Sequence, residues 1–271
     1  MQRRIQRYGW DLAAASYEVL WQDQLAFAQA QLLTLASLAP GEQVLYVACG
    51  TGLVSLEAAR AVAPRGQVLG IDLSGQMVDA AGRRAAAQGI LNADFARMDG
   101  EALDIPDARF DAALCALGLM YMPEPAQALR EMWRVLRSGG RLGLAVWGER
   151  AQCGWSAVFP IIDVEVASEV ASEVCPLFFR LGQDGVLARL CETTGFHAVE
   201  QHRITTTLDY ADAHQACDAA FVGGPVALAW ARLGEDVRER VRARYLEAIT
   251  PWRHGRGYRL PSEFVLVSAL R

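Results

Sequence analysis

Val44-Leu45-Tyr46-Val47-Ala48-Cys49-Gly50-Thr51-Gly52 carries a short apolar segment straight into a Gly-x-Gly turn. The unbroken apolar run over Gln43–Val47 predicts a buried strand, and Leu53–Val62 predicts a helix that stops before Pro64. Glycine suits the turn because the backbone must reverse sharply and leave room for a close approach. The helix that follows offers unpaired N–H groups to an anionic ligand group.

The same rhythm continues outward. Gln67–Ile71 is expected to be a second strand, and Gly75–Gln88 a second helix with Ser74 as its N-cap. Strands are expected over Ala93–Met98, Phe110–Ala116 and Arg141–Trp147, with a helix near Ala126–Leu136 stopped by Ser138-Gly139-Gly140. Apolar strands alternating with helical crossovers specify a doubly wound, Rossmann-like α/β fold with a mostly parallel sheet. Upstream, residues 11–38 place apolar residues at helical spacing and read as one or two helices ended by Pro40-Gly41.

Beyond residue 150 the alternation breaks down. Residues 151–183 mix aromatic residues with the tandem VASEVASEV (Val166–Val174), read as an amphipathic helix. Residues 184–194 read as a helix, His197–Leu208 as a strand, 211–250 as helical, and Phe264–Leu270 as a last, antiparallel strand of a seven-stranded sheet. The expected organisation is a helical lid over 1–39 and a nucleotide-binding core over 40–150. Residues 151–271 then complete the sheet, with cap insertions at about 151–183 and 211–256 over the C-terminal strand ends.

Composition removes several function classes. The net charge is −5, which argues against a general affinity for nucleic acid or anionic membranes. All 26 basic residues are arginine, so mechanisms built on a lysine amine are closed. Arg238, Arg240, Arg242 and Arg244 read as a solvated helix face rather than a nucleic-acid surface. The six cysteines are scattered without a CxxC pair, which points to free thiols and no metal site. No apolar run has the length of a membrane span, and MQRRIQRYGW lacks the core of a signal peptide, so a cytoplasmic location is expected.

Three strand ends converge on an adenosine-like ligand. Asp72, twenty residues after Gly52, ends the second strand, where a carboxylate can accept from ribose hydroxyls. Asp99 ends the third and could accept from an adenine amino group. Together with the glycine turn, the segments VLYVACGTG, GIDLSGQMVDAA, MDGEALDIPDARFDAALCALGLMYMPEP and EMWRVLRSGGRLGLAVWG resemble the class I S-adenosylmethionine-dependent methyltransferases. Within that class the chain resembles the bacterial branch that includes the ubiquinone and menaquinone C-methyltransferases, closely over residues 40–150 and more loosely elsewhere.

The resemblance implies that Gly50 and Gly52, beside Ala48, line the methionyl part of S-adenosylmethionine, and that Asp72 holds the ribose. It implies that Leu73 and Met77 border the adenosine, that Asp99, Gly100 and Glu101 sit at the adenine, and that Ala116 and Leu117 lie beside the sulfonium. Tyr17 and Trp21, four apart on the N-terminal helix, share a face. They read either as a lid over the cofactor or as core. Tyr46 stands where members of the class usually carry an acidic residue, and Ala48 replaces a glycine.

Two alternatives stay open at this stage: a non-catalytic S-adenosylmethionine-binding or regulatory protein, favoured by Tyr46, and an NAD(P)-dependent oxidoreductase. Against the second, Ser55 replaces the third glycine of G-x-G-x-x-G, and no lysine is present. Methyl transfer itself needs alignment, exclusion of water and a route for a proton, not an obligatory motif. His254, His214 and Tyr17 are the candidate proton acceptors, in segments expected to cover the pocket. No metal-ligand cluster or Asn/Asp-Pro-Pro-Tyr/Phe motif follows the fourth strand, which favours a free small molecule as acceptor. Trp155, Phe159, Phe178 and Phe179 suggest a hydrophobic one, or else simple cap packing. Oligomeric state is open, with a homodimer among the options.

Overall fold

The structure, a computed structural model, describes residues 2–166 and 178–271. The tandem VASEVASEV, apart from its first residue, lies outside the described residues. Parallel strands β1 (Gln43–Val47), β2 (Gln67–Asp72), β3 (Ala93–Arg97), β4 (Phe110–Ala116) and β5 (Leu136–Trp147) alternate with helices α2 (Leu53–Val62), α3 (Gly75–Ala87) and α4 (Pro125–Val135). The sheet order is β3-β2-β1-β4-β5-β8-β6, where β6 is His197–Tyr210 and β8 is Gly257–Leu270. β8 runs antiparallel to both β5 and β6, and a two-residue β7 (Arg253–His254) pairs with it to make an eighth strand.

The chain departs from β1 toward β2 and β3 on one side and toward β4 and β5 on the other. Such a reversal opens a crevice beyond the carboxyl ends of the strands, because the flanking helices leave in opposite directions. The C-terminal ends of β1, β2, β3 and β4 border that crevice.

A single helix, α1 (Gln2–Ala36), covers the segment where one or two were expected, and it starts well before residue 11. Its buried residues Trp21, Leu25, Ala28, Leu32 and Ala36 recur every three to four positions and form one stripe. The lower part of that stripe meets the sheet at Gly143 of β5, where an added Cβ would press on Leu114 and Leu32. At 1.5 Å per residue, α1 is about 52 Å long, enough to reach from the sheet face past the crevice.

Two boundaries differ from expectation for physical reasons. Ser138-Gly139-Gly140 does not stop α4, which ends at Val135. The chain turns at once into β5, where Leu136 pairs with Phe110. The register shifts between Phe110 and Ala112, and Gly139 takes φ +73°, so the glycines accommodate an irregularity inside the strand. β8 begins at Gly257 rather than Phe264, because its first half pairs with an extension of β6 to Tyr210. Between those two strands stand α7 (Ala213–Phe221), α8 (Ala227–Arg232) and α9 (Glu235–Ile249), with α1 packed against α7 and α8. Elsewhere α5 (Val158–Val166) packs on α8 and α9, and α6 (Val186–Thr193) lies against β6.

Ser74 fulfils the expected cap of α3: its hydroxyl accepts from Met77 N at 3.1 Å and donates to Asp11 Oδ1 at 2.6 Å. The cap therefore also ties α1 to the β2–α3 turn. Ser74→Ala is expected to lower stability by about 1 kcal/mol, measured by urea denaturation, with the fold retained.

Candidate active site

The crevice holds about 750 Å³ of space, its open mouth included. Asp72 stands at its centre. One carboxylate oxygen accepts from Gly50 N and the other from Ser74 N, both at 2.9 Å. Each oxygen keeps a lone pair for a further donor, which suits a vicinal pair of hydroxyls. Burial pushes the Asp72 carboxyl up from an ordinary 3.8 to about 6, opposed by the N–H groups of Ser74 and Gly50. The folded protein thus holds this proton more tightly than the unfolded chain. Its contribution to stability falls as pH rises from about 4 to about 6.

Gly50 has φ +53°, and a Cβ there would meet only Tyr17 Cε1, at 3.9 Å. Ala48 also sits in the left-handed region, at φ +56°, where an alanine is strained. Gly118 lies directly against Ala48: a Cβ there would collide with the Ala48 Cβ, so glycine at 118 accommodates the side chain at 48. Gly52, by contrast, does not line the crevice: its φ is +84°, and a Cβ would press on Ala81 of α3. Its role is packing.

Leu73, Met77, Asp99, Gly100, Glu101, Ala116 and Leu117 line the crevice with Ala48, Gly50, Asp72 and Tyr17. Asp99 is already engaged, since Oδ1 accepts from Glu101 N at 2.9 Å and Oδ2 lies 3.1 Å from Arg3 Nε. Arg3, which the sequence did not single out, also donates to Glu101 at 2.6 Å, whose side chain is only 1% exposed. Glu101 in turn accepts from Glu124 N at 2.6 Å. A buried carboxylate needs such partners. Gln6 and Trp10 join Arg3 and Tyr17 along one face of α1 as a wall of the crevice.

Several expected site residues lie elsewhere. Trp21 borders an adjoining aromatic chamber rather than the crevice. His214 is 84% exposed on α7 and pairs with Asp218 at 3.2 Å. His254 is exposed on β7 and borders a separate depression with Arg256 and Tyr258. Neither histidine borders the crevice, because α7 leans on α1 and β8 while β7 folds back onto β8. The Tyr17 phenol, driven up by burial and by the nearby Asp72 charge, stays protonated at neutral pH and is a donor rather than a base.

Tyr46 is not among the residues that line the crevice. Its side chain is buried in the sheet, and its hydroxyl accepts from Ala116 N at 3.2 Å. It therefore ties β1 to β4. Cys49 and Cys115 are buried, and burial pushes Cys115 up to about 12, so both are inert small apolar groups. Among the described residues no cluster of potential ligands could hold a metal, and no helix is long and apolar enough to cross a membrane.

Residues 44–140 match the family model described as a methyltransferase domain. Over that segment the chain is similar to S-adenosylmethionine-dependent methyltransferases of class I. It is 36% identical over 191 residues to an uncharacterized 37.1 kDa protein in transposon TN4556 of Streptomyces fradiae, covering 68% of this chain and 53% of that protein. It is 38% identical over 132 residues to a demethylmenaquinone methyltransferase of Deinococcus radiodurans, covering 49% of this chain and 54% of that protein. The chain spans about half the length of these curated relatives. The crystal structure of YcgJ from Bacillus subtilis superposes with a TM-score of 0.63 at 17% identity over 91% of this chain and 98% of that one, a likeness of fold.

The clash between positions 48 and 118 is testable by a double-mutant cycle. Gly118→Ala is expected to cost about 1–3 kcal/mol by thermal or urea unfolding. Ala48→Gly should recover at least half of that in the double variant, while altering the wild-type background by about 1 kcal/mol or less.

Proposed function

We propose that this protein transfers a methyl group from S-adenosylmethionine to an oxygen, carbon or nitrogen of a small, hydrophobic acceptor. The observation that carries this reading is the Asp72 carboxylate, held by Gly50 N and Ser74 N at the strand reversal with lone pairs free toward the crevice. Bound there, the cofactor supplies an activated methyl on a sulfonium. In this reading Asp72 holds the ribose, Gly50 leaves room for the methionyl tail, and Asp99, Gly100 and Glu101 flank the adenine. Ala116 and Leu117 lie toward the reacting end in this reading, where the small Ala116 leaves space and both apolar side chains exclude water. Trp10 and Tyr17 make α1 the wall that covers the cofactor.

With neither His214 nor His254 at the crevice, the acceptor's proton leaves through solvent or through the acceptor's own acidity. An acceptor that is acidic or already a nucleophile suits such a site. The name of the Deinococcus radiodurans relative points to a quinone-type acceptor for that protein, and a related apolar ring is the class we favour here. A non-catalytic binding protein is the second reading, favoured by Tyr46, which leaves the first glycine turn without its usual acid. Turnover of any acceptor in a panel excludes it.

Calorimetry is expected to show binding of S-adenosylhomocysteine and none of NAD. Asp72→Ala should weaken that binding about ten- to a hundred-fold, the loss of charge-assisted hydrogen bonds. Unchanged affinity would show the ribose assignment to be wrong. Because Asp72 titrates near 6, affinity should be about ten-fold lower at pH 5 than at pH 7. The folded carboxyl is raised, so binding gains as pH rises through that value.

A further inference from the structure

The large apolar side chains that face solvent are unevenly placed. Among the described residues six are exposed, and four of them, Tyr8, Leu12, Val19 and Phe27, belong to α1. The other two stand singly, Leu91 ahead of β3 and Val164 on α5. Single exposed apolar residues are ordinary, whereas a row of them on one helix marks a surface for contact.

Tyr8, Leu12, Ala15 and Val19 follow one another at steps of four, three and four residues, the spacing of a coiled-coil seam. Tyr8 is 45%, Leu12 51% and Val19 82% exposed, and Ala15 is exposed between them. At 3.6 residues per turn the four fall within an arc of about 60°. That arc faces away from the buried stripe of Trp21, Leu25 and Leu32. α3 flanks it on one side, where Arg84 holds Glu18 at 2.9 Å and Gln22 at 2.8 Å. On the other side α8 brings Leu228 against Gly9. A helix needs one apolar stripe to dock on its own fold, and α1 carries a second.

Charge decides what covers it. The exposed Arg4 stands one turn before Tyr8, and the exposed Asp23 one turn beyond Val19. A seam with a cation at its start and an anion at its end complements a copy of itself laid antiparallel; a parallel copy would set like charges side by side. We propose that this face of α1 is the interface of a homodimer, in which two copies related by a two-fold axis pair their α1 helices antiparallel. Arg4 then lies level with Asp23 of the partner subunit, Tyr8 packs on Val19 of the partner subunit, and Leu12 on Ala15 of the partner subunit. Each large side chain meets a smaller one, and every pair occurs twice, so the contact closes at two copies.

The paired stretch from Arg4 to Asp23 is about 29 Å long and about 10 Å wide, a footprint of about 300 Å² per copy. A stable complex covers about 800 Å² per partner, so this dimer is a weak one, with a Kd on the order of 10 µM. Gln6, Trp10 and Tyr17 lie on another side of the same stretch and line the crevice, so the partner sits behind the crevice wall and outside the site.

The test is sedimentation velocity on the full chain at about 1 to 200 µM, a range that brackets the expected affinity. Monomer at the low end and dimer at the high end is the expected result, with the dimer weakened as salt is raised. Val19→Arg should weaken it about ten-fold or more, and Leu12→Gln serves as a second, milder variant, with far-UV circular dichroism to confirm that each folds. Arg4→Asp and Asp23→Arg should each weaken the dimer about five-fold, and the two together should return it to within about two-fold of the wild type. A chain that stays monomeric throughout, or a dimer indifferent to both seam variants, overturns the interface. Assembly beyond two copies overturns the closed two-fold, and charge reversals that do not compensate one another overturn the antiparallel pairing.

Discussion

The two hydrogen bonds that Gly50 N and Ser74 N donate to Asp72 join the turn after β1 to the turn after β2. Neither turn is ordered by the regular ladder of the sheet, which ends a residue or two earlier. The carboxylate is what sets their separation, and it does so while partly desolvated, which is why its proton is held to about 6. Around it the rest follows. Ser74 can cap α3 only if this turn is in place, and through Asp11 the same serine holds α1 over the crevice. A group that orders the two turns and also lines the crevice is pre-organised, so little rearrangement is asked of binding.

α1 is the element that makes a crevice into a chamber. Its lower half is anchored by an apolar stripe against the sheet, and its upper half presents Arg3, Gln6, Trp10 and Tyr17 to the strand ends. Arg3 meets Asp99 and Glu101 in a compact ion-pair group, half-exposed on the arginine side and buried on the glutamate side. Removing Arg3 would leave the buried Glu101 charge without its partner, so the pairing holds this rim together. α7 and α8 press on the outer side of α1. Among the described residues, α7 and α8 act on the crevice through α1.

The aromatic residues downstream of β5 pack on one another and, through Trp155, on Trp21 of α1. Phe159 and Phe178 are buried among one another and with Trp155, with centroids 5.1 to 5.6 Å apart, and they are core. Trp155 and Trp21 share that packing but carry N–H groups that it does not satisfy. The same burial that stabilises each ring isolates its donor.

The core of the fold was legible in the sequence from residue 43 to residue 116, because each strand, turn and helix there is a local pattern. Apolar runs give buried strands, Gly50 and Gly52 mark the turn, and Ser74 caps the next helix. Asp72 and Asp99 were legible as strand-end carboxylates for the same reason. Partners distant in sequence were not. That Tyr46 binds Ala116 N, that Arg3 reaches Asp99 and Glu101, and that Gly118 answers Ala48 are contacts across 70, 96, 98 and 70 positions, set by how strands order and how α1 lies. His214, His254 and Trp21 looked eligible from their segments, but the pairing of β6 with β8 and the docking of α7 on α1 carried them away from the crevice. Local order follows from backbone preference and periodicity along the chain, whereas the meeting of side chains depends on which surfaces pack, and that is a property of the whole folded molecule.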